Sequence, residues 1–209
     1  DKLAMRARVA ELGVEVPRWA DVRSAADLTA FGERVGWPVV VKTTRGGYDG
    51  KGVRVAHRAD DVADWLADLD AGAVTVDGLG GEGGDALLAE ELVPFTRELA
   101  VLVARRPSGE VRPWPVVETV QVDGVCSEVV APAPGLSAEA ARHAQEMAVR
   151  IAEGLDVTGV LAVEMFCVEG ADGVQLSVNE LAMRPHNSGH WTIEGSVTSQ
   201  FEQHLRAVL

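Results

Sequence analysis

The sequence predicts an α+β fold made of two α/β lobes, and three observations support this prediction. Segments with apolar residues at helical spacing alternate with short β-branched segments. The first part combines helices with a strand pair, whereas the later part is rich in strands and carries one long helix. A glycine-rich stretch of little apolar content, 72–85, is either a flexible surface loop or a connection between small domains. We expect a first lobe over about 1–92 and a second over 93–209.

The individual elements follow from hydrophobic spacing and from punctuating glycines and prolines. In the first part we expect helices at 1–12, 24–35 and 60–69, and strands at 38–42 and 53–56. In the later part we expect strands at 86–93, 97–105, 111–122, 125–131, 158–168 and 174–181, and helices at 137–153 and 197–208. Ser24 with Asp27, and Ser199 with Glu202, have the spacing of helix N-terminal caps.

Composition is that of a soluble globular protein. The chain has 209 residues, of which 47% are hydrophobic and 24% charged, and this length can bury a sizeable core. No window approaches about eighteen uninterrupted apolar residues, so we expect no membrane span. The formal charge of −13 argues against a nucleic-acid partner, because such binding depends on many Lys and Arg side chains.

Cysteine usage and the first residues bear on location. Cys126 and Cys167 lie outside any metal-binding spacing and are too few for a secreted disulfide scaffold, so we expect a cytoplasmic protein. The sequence begins at Asp1 without an initiator methionine and without the apolar core of a signal peptide. We therefore expect it to be a piece of a longer chain.

A glycine-rich run follows the apolar strand that ends at Lys42. Its residues are Gly46, Gly47, Tyr48, Asp49, Gly50, Lys51 and Gly52. Glycines let backbone N–H groups approach an anion and permit positive φ angles. A Walker A loop is excluded because Gly52 follows Lys51, and strand-like alternation after Gly52 excludes a dinucleotide fingerprint. We expect a phosphate-binding hairpin with the Lys42 ammonium beside it. The alternative is a surface hairpin without a ligand.

Two glutamates near the end of the chain have the features of a magnesium site. Glu164 lies in an otherwise apolar strand, where an unpaired carboxylate is costly. If the strands at 158–168 and 174–181 form a hairpin, Glu164 lies opposite Asn179 or Glu180. Two carboxylates and an amide oxygen suit Mg²⁺. Asn179 and Glu180 both reach one ligand only if the strand ends or bulges there. The alternative is a solvated pair of glutamates at a sheet edge.

The segment 184–191 concentrates hydrogen-bond donors. It contains an arginine, two histidines, an amide and a hydroxyl within eight residues. Pro185 and Gly189 predict a loop, and the sequence has no HExxH zinc pattern. The density of donors favours an anionic substrate, with Arg184 as the best candidate for stabilising transferring negative charge. The alternative is a turn rich in capping residues.

Together these segments resemble the ATP-grasp superfamily and, within it, the 5-(carboxyamino)imidazole ribonucleotide synthase family of purine biosynthesis. The resemblance covers essentially the whole chain. It rests on VVVKTTRGGYDGKG at 39–52, AEELVPFTRELAV at 89–101, AVEMF at 162–166, NELAMRPHNSGHWTIEG at 179–195 and SQFEQHLRAV at 199–208. It implies an ATP-grasp fold with the nucleotide between its two lobes. It also implies N-terminal and C-terminal domains that this sequence does not include, and a homodimer of the full-length enzyme.

The resemblance implies a ligase that uses ATP to convert bicarbonate to carboxyphosphate. The amine of aminoimidazole ribonucleotide then takes the carboxyl group, which gives 5-carboxyaminoimidazole ribonucleotide, ADP and phosphate. The implied cofactors are ATP and Mg²⁺, with Mn²⁺ as the alternative ion. A sister ligase that uses formate or another carboxylate is disfavoured by the NSGHW run. A non-catalytic nucleotide-binding module is disfavoured because Lys42, Glu164 and Glu180 are all present.

Carried over by position, the resemblance implies a role for each site residue. The phosphates are assigned to Lys42, Gly47, Tyr48, Asp49, Gly50, Lys51, Gly52 and Val53. Adenine is assigned to Glu90, Glu91, Leu92 and Val93, and the ribose hydroxyls to Glu98. The metal is assigned to Glu164 and Glu180 with Asn179 beside them, and the reacting groups to Arg184, His186 and Asn187. The family usually has a histidine, in a pattern like ENxH, where this chain has Gln121. That nucleotide contact is therefore not carried over.

Overall fold

The computed structural model describes residues 1–46, 51–70, 85–122, 124–171 and 173–209. The chain divides into two compact units. Unit 1 comprises Asp1–Arg8, Pro17–Val93 and Asp123–Val125. Unit 2 comprises Val9–Val16, Pro94–Val122 and Cys126–Leu209. The functional lobes at 1–92 and 93–209 stay a prediction.

Unit 1 is built on a four-stranded antiparallel sheet of order β1-β4-β2-β3. Its strands are β1 (Trp19–Val22), β2 (Val39–Thr43), β3 (Val53–Ala56) and β4 (Leu87–Glu91). Its helices are α2 (Ala25–Val35) and α3 (Ala63–Asp70), and a 3₁₀ turn at Ala59–Val62 leads into α3. Helix α1 (Lys2–Glu11) begins in unit 1 and ends in unit 2.

Local chemistry explains where α2 begins and what it buries. The Ser24 hydroxyl caps the helix by accepting a hydrogen bond from the Asp27 N–H at 3.2 Å. Leu28 and Phe31, three residues apart, bury one stripe against the sheet residues Val39 and Val41. The predicted helix at 24–35 and its cap are therefore confirmed.

Unit 2 contains a six-stranded antiparallel sheet of order β10-β9-β5-β7-β8, with β6 pairing with β5. Its strands are β5 (Arg97–Arg105), β6 (Val111–Pro113), β7 (Val117–Val122), β8 (Val125–Val130), β9 (Gly159–Gly170) and β10 (Gly173–Ala182). The helices of this unit are α4 (Ala138–Gly154), the single turn α5 (Thr192–Gly195) and α6 (Gln200–Val208).

The centre of the second sheet is covered on both faces. Every residue of β5 from Leu99 to Arg105 is buried, which a strand with one solvated face would not allow. Helix α6 places Ala207 against Leu102 and Ala162, and α4 packs against the same two strands, β5 and β9. Polar residues of the sheet lie away from this centre, for example at the start of β5 and on β8.

Most predicted elements are confirmed, with a few differences. The single strand expected at 111–122 is wrong, because the chain is interrupted between β6 and β7, where Pro115 has no N–H for the ladder. The last helix begins at Gln200 rather than at 197, and β1 was not predicted. Of the glycine-rich stretch at 72–85, residues 72–84 lie outside the described residues. No helix in the described part of the chain has the length and apolar character needed to cross a membrane.

Candidate active site

The glycine-rich run of unit 1 joins β2 and β3 as an antiparallel hairpin. Lys42 pairs with Val53, and the Thr43 N–H donates to the Gly52 carbonyl at 2.9 Å. The backbone φ angle of Gly52 is +72°, a conformation that residues with a Cβ atom rarely adopt and that glycine adopts readily. The predicted strand–loop–strand arrangement is thus confirmed at its base. Gly47, Tyr48, Asp49 and Gly50, to which we assigned phosphate contacts, lie outside the described residues.

At the base of this hairpin a buried carboxylate holds two cations. The Lys42 ammonium lies 2.6 Å from Glu90 Oε2, with side-chain exposures of 12% and 2%. Arg6 of α1, which is fully buried, ion-pairs with the other oxygen of Glu90. The ammonium of Lys42 is therefore held in place before any phosphate arrives.

Arg6 was not predicted as a site residue. It lies on the same face of α1 as the buried Val9, three residues along the helix. An arginine within an otherwise apolar stripe is the only local signal, because the partner carboxylate of Glu90 is 84 residues away in sequence. The assignment of Glu90 to adenine did not anticipate that its side chain is committed to this ion cluster.

The segment assigned to adenine leaves the sheet at its second residue. Strand β4 ends at Glu91, whose carboxylate accepts from the Arg18 N–H at 2.8 Å and from Arg18 Nε at 2.6 Å. Leu92 is 45% exposed and Val93 is half-buried. The backbone of these last two residues lies beyond the end of β4.

In unit 2, three strands bring carboxylates together. Glu164 of β9 lies opposite Glu180 of β10 and opposite Ala100 of β5. The register of β9 and β10 shifts between Val178 and Glu180, which leaves Asn179 as an extra residue. The predicted hairpin register and the bulge that it required are confirmed. A bulge of this kind sets two residues of β10, Asn179 and Glu180, opposite one residue of β9.

Glu98 extends this row along β5. It lies two residues from Ala100 on the same face, and so diagonally from Glu164. Burial, and then the negative charge of Glu164, raise the pKa of the Glu98 carboxyl above its ordinary value. Glu98, Glu164 and Glu180 therefore form an acidic row across three strands, and a cation or a hydroxyl-rich ligand would relieve its repulsion.

A thiol lies close to the acidic row. Burial raises the pKa of Cys126, and the charges of Glu164 and Glu98 raise it further. Cys126 therefore stays protonated at neutral pH. Cys126 and Cys167 are both free thiols, and neither was predicted to take part in the site.

The donor-rich loop of unit 2 reaches the acidic row through His186. The imidazole Nε2 of His186 lies 3.0 Å from Glu164 Oε1. Its Nδ1 accepts from the Ser188 N–H and lies 2.9 Å from the Ser188 hydroxyl. Since Nδ1 is the acceptor, the geometry assigns the proton to Nε2, which donates to Glu164. Of the three residues that we assigned to the reacting groups, His186 is the one that contacts the row.

The other two residues of that group face solvent. Arg184 is exposed and its Nη1 donates to the Pro185 carbonyl at 2.9 Å. Asn187 is exposed at the start of a 3₁₀ turn, Asn187–Gly189. Gln121, at the position of the usual family histidine, lies half-buried on β7.

Oxygen donors at the acidic row fit a partial magnesium site. Magnesium in nucleotide sites is held by one or two carboxylates and completes its shell with water and phosphate oxygens. Glu164 and Glu180 supply two facing carboxylates, with the Asn179 amide at the bulge. Among the described residues, no group of three or more His, Cys, Asp or Glu side chains is arranged to hold a metal ion by itself. The donor set therefore requires ligand oxygens to complete it.

Two bacterial proteins are similar to this chain along its whole length. The N5-carboxyaminoimidazole ribonucleotide synthase of Corynebacterium ammoniagenes is 51% identical over 210 residues, covering 100% of this chain and 48% of that protein. The enzyme of the same name from Mycobacterium tuberculosis is 53% identical over 209 residues, covering 100% and 46%. The chain thus spans about half the length of the curated relatives that it matches.

A solved structure has the same fold. It is the crystal structure of N5-carboxyaminoimidazole synthase from Aspergillus clavatus in complex with ADP and 5-aminoimidazole ribonucleotide. Its TM-score is 0.81 at 33% identity, covering 99% of this chain and 50% of that one. The α+β fold predicted from the sequence is confirmed as an ATP-grasp fold. The ATP-grasp domain model matches residues 7–201, which is most of the chain, and the protein therefore belongs to the ATP-grasp family.

Proposed function

We propose that this chain is the ATP-binding part of an enzyme that carboxylates 5-aminoimidazole ribonucleotide with bicarbonate. The products are 5-carboxyaminoimidazole ribonucleotide, ADP and phosphate. The acidic row of Glu98, Glu164 and Glu180, contacted by His186, is the observation that carries the proposal. The relatives of this name, 51% and 53% identical across the chain, support the choice of substrate.

Unit 1 contributes the residues that we propose for the phosphates and the adenine. Lys42, held by Glu90, supplies a fixed positive charge to the phosphate groups. The run Gly47–Val53 offers backbone N–H groups to the same phosphates. The segment Glu90–Val93 holds adenine, with Leu92 and Val93 offering the backbone that lies beyond β4.

Unit 2 contributes the residues that we propose for the ribose, the metal and the reacting groups. Glu98 accepts hydrogen bonds from the ribose hydroxyls. Glu164 and Glu180 hold Mg²⁺, with Asn179 beside them. When bound there, the ion neutralises negative charge on phosphate oxygens. Because Glu164 also contacts His186, an ion held there would be linked to the loop that begins at Arg184.

The loop of unit 2 supplies the groups that we propose for the acyl phosphate and the ribonucleotide. The Arg184 guanidinium stabilises negative charge on the group being transferred. Asn187 and the imidazole of His186 orient the acceptor amine and the carboxyphosphate. Arg184 and Asn187 are both exposed, so a substrate could reach both side chains.

The test uses the full-length protein and follows ADP release. We expect release to require both bicarbonate and aminoimidazole ribonucleotide. Glu180→Gln should abolish it, because an amide cannot replace the charge of a metal-bound carboxylate, while Glu202→Gln on the exposed face of α6 serves as the matched control. Turnover that survives in Glu180→Gln would overturn the metal assignment. Turnover with formate in place of bicarbonate would point to the sister ligase.

We also propose that the full-length enzyme is a cytoplasmic homodimer. A protein that acts on small anionic metabolites and that carries free thiols suits a reducing compartment. Sedimentation of the full-length protein as a single subunit at micromolar concentration would contradict the dimer.

A further inference from the structure

We propose that Gln200, the first residue of α6, is a positioning residue for the reaction because its carboxamide clamps the backbone of His186. This inference rests on the proposed function, since it concerns the loop that we assign to the reacting groups. Gln200 is fully buried and does not belong to the acidic row. Its contribution is to set where the His186 imidazole lies.

The clamp consists of two hydrogen bonds to one residue. The His186 N–H donates to Gln200 Oε1 at 2.9 Å, and Gln200 Nε2 donates to the His186 carbonyl at 2.8 Å. One planar amide thus satisfies both polar groups of the His186 backbone, as a neighbouring β-strand would. Glutamine is suited to this position because it carries a donor and an acceptor side by side.

The clamp is itself held by the loop and by the sheet. The Gln200 N–H donates to the Thr192 hydroxyl at 2.8 Å, and that hydroxyl donates to the Gly189 carbonyl at 2.6 Å. Four residues along α6, His204 Nδ1 accepts from the Val160 N–H of β9 at 3.0 Å. The helix therefore ties the loop to the strand that carries Glu164.

The imidazole ring of His186, at the end of its side chain, is the group that reaches the acidic row. With the backbone of His186 fixed, its Nε2 comes to 3.0 Å from Glu164 Oε1. The side chain of His186 is 12% exposed, so few other orientations are open to it. Gln200 thereby sets the distance between the loop and the carboxylate proposed for the metal. A small displacement of the His186 imidazole would lower the reaction rate, because catalysis depends on the orientation of the reacting groups.

The experiment compares Gln200→Met and Gln200→Glu with Gln203→Met in the full-length protein. Methionine removes both polar atoms at similar volume, glutamate keeps only an acceptor, and Gln203 lies one turn along the same helix. We expect kcat to fall by about 10²-fold in both Gln200 variants. The affinity for Mg-ADP, measured by calorimetry, should not change, because Gln200 lies outside the proposed nucleotide residues. Gln203→Met should behave as the unchanged protein.

A second readout does not depend on turnover. Long-range ¹⁵N NMR of the histidine rings reports which nitrogen carries the proton, and His186 is assigned from His186→Gln. We expect the His186 signals to move in both Gln200 variants and not in Gln203→Met.

The outcomes separate the clamp from the proposed function. If the unchanged protein releases no ADP with bicarbonate and aminoimidazole ribonucleotide, the proposed function fails, and the NMR signals still decide whether Gln200 sets the His186 ring. If that protein is active, unchanged kcat in both Gln200 variants overturns the inference. If the Gln200 variants lose both Mg-ADP binding and turnover, the inference is also overturned, because Gln200 would then only maintain the fold.

Discussion

The pKa of a single side chain in this protein depends on its burial and on charged residues of neighbouring strands. Glu98 illustrates this, because it is followed along β5 by buried apolar residues and the charge that raises its pKa, that of Glu164, comes from another strand. Removing water from a carboxylate and adding a second negative charge both favour the protonated form. The folded protein therefore binds a proton at Glu98 more tightly than the unfolded chain does.

Glu98→Gln should stabilise the protein against unfolding at neutral pH. The raised pKa means that the wild-type protein loses stability as pH rises from the ordinary value of 4.5 through the folded value. The variant lacks this loss, so its advantage should shrink as pH falls below 4.5, where both side chains are neutral. Urea unfolding across this pH range measures the difference. An advantage that is independent of pH would show that the ionised carboxylate is not its cause.

Lys42 and Glu90 show the opposite arrangement, in which opposite charges are buried together. The carboxylate of Glu90 is nearly inaccessible, and the two cations beside it, Lys42 and Arg6, come from a strand and a helix. Burying one charge without the others would be strongly unfavourable. The lysine proposed for the phosphates is therefore part of a structural cluster as well as of the site.

At the scale of elements, the β-bulge at Asn179 and helix α6 position the site. The bulge adds one residue, Asn179, to β10, and after it Glu180 pairs with Glu164 on β9. Helix α6 begins at the Ser199 cap, whose hydroxyl accepts from the Glu202 N–H at 3.2 Å. Its first residue then meets the loop through the Gln200 amide.

Gly189→Ala should disturb the loop by displacing this amide. A Cβ atom at Gly189 would overlap both Gln200 Oε1 and Leu102 Cδ2, and neither side chain is free to move, since Gln200 is hydrogen-bonded and both are buried. Overpacking of this kind typically costs about 1–3 kcal/mol. Thermal or urea unfolding measures the loss. Gly13→Ala is not a suitable control because Gly13 has φ +67, whereas Gly170→Ala meets no neighbour and is suitable. Equal stability of the two variants would contradict the overlap.

The elements that could be predicted from the sequence are those specified by local chemistry. The caps at Ser24 and Ser199, the β9–β10 register and the hairpin at Gly52 depend on residues close together in the chain. The single strand expected at 111–122 does not form, because Pro115 lies between β6 and β7 and cannot donate to a ladder.

At the scale of the whole molecule, residues proposed for one nucleotide are distributed over both units. Lys42 and Leu92 belong to unit 1, whereas Glu98, Glu164 and Glu180 belong to unit 2. The proposed residues for phosphate, adenine, ribose and metal all lie within this chain, although it spans about half the length of its curated relatives. Nucleotide binding and complete turnover can therefore be tested separately.

The 209-residue chain should bind Mg-ATP by itself. Isothermal titration calorimetry should detect binding in the presence of Mg²⁺ and much weaker binding with EDTA, because the acidic row needs the ion to accept phosphate oxygens. Glu180→Gln should remove the magnesium dependence, while Glu202→Gln should keep it. Absence of any binding to the unchanged chain would mean that the remaining part of the full-length protein is needed even for nucleotide.

The sequence by itself determined the α+β class, the glycine hairpin, the facing of Glu164 and Glu180, and the resemblance to the ATP-grasp superfamily. These features have signatures in short segments: periodicity, capping residues, glycine spacing and a lone carboxylate in an apolar strand. Only the tertiary structure decided that Arg6 is bound to Glu90, that Glu98 lies beside Glu164 and that Gln200 clamps His186. Each of these contacts joins polar residues that are distant in sequence, and their partners are set by strand order and helix packing rather than by any local pattern.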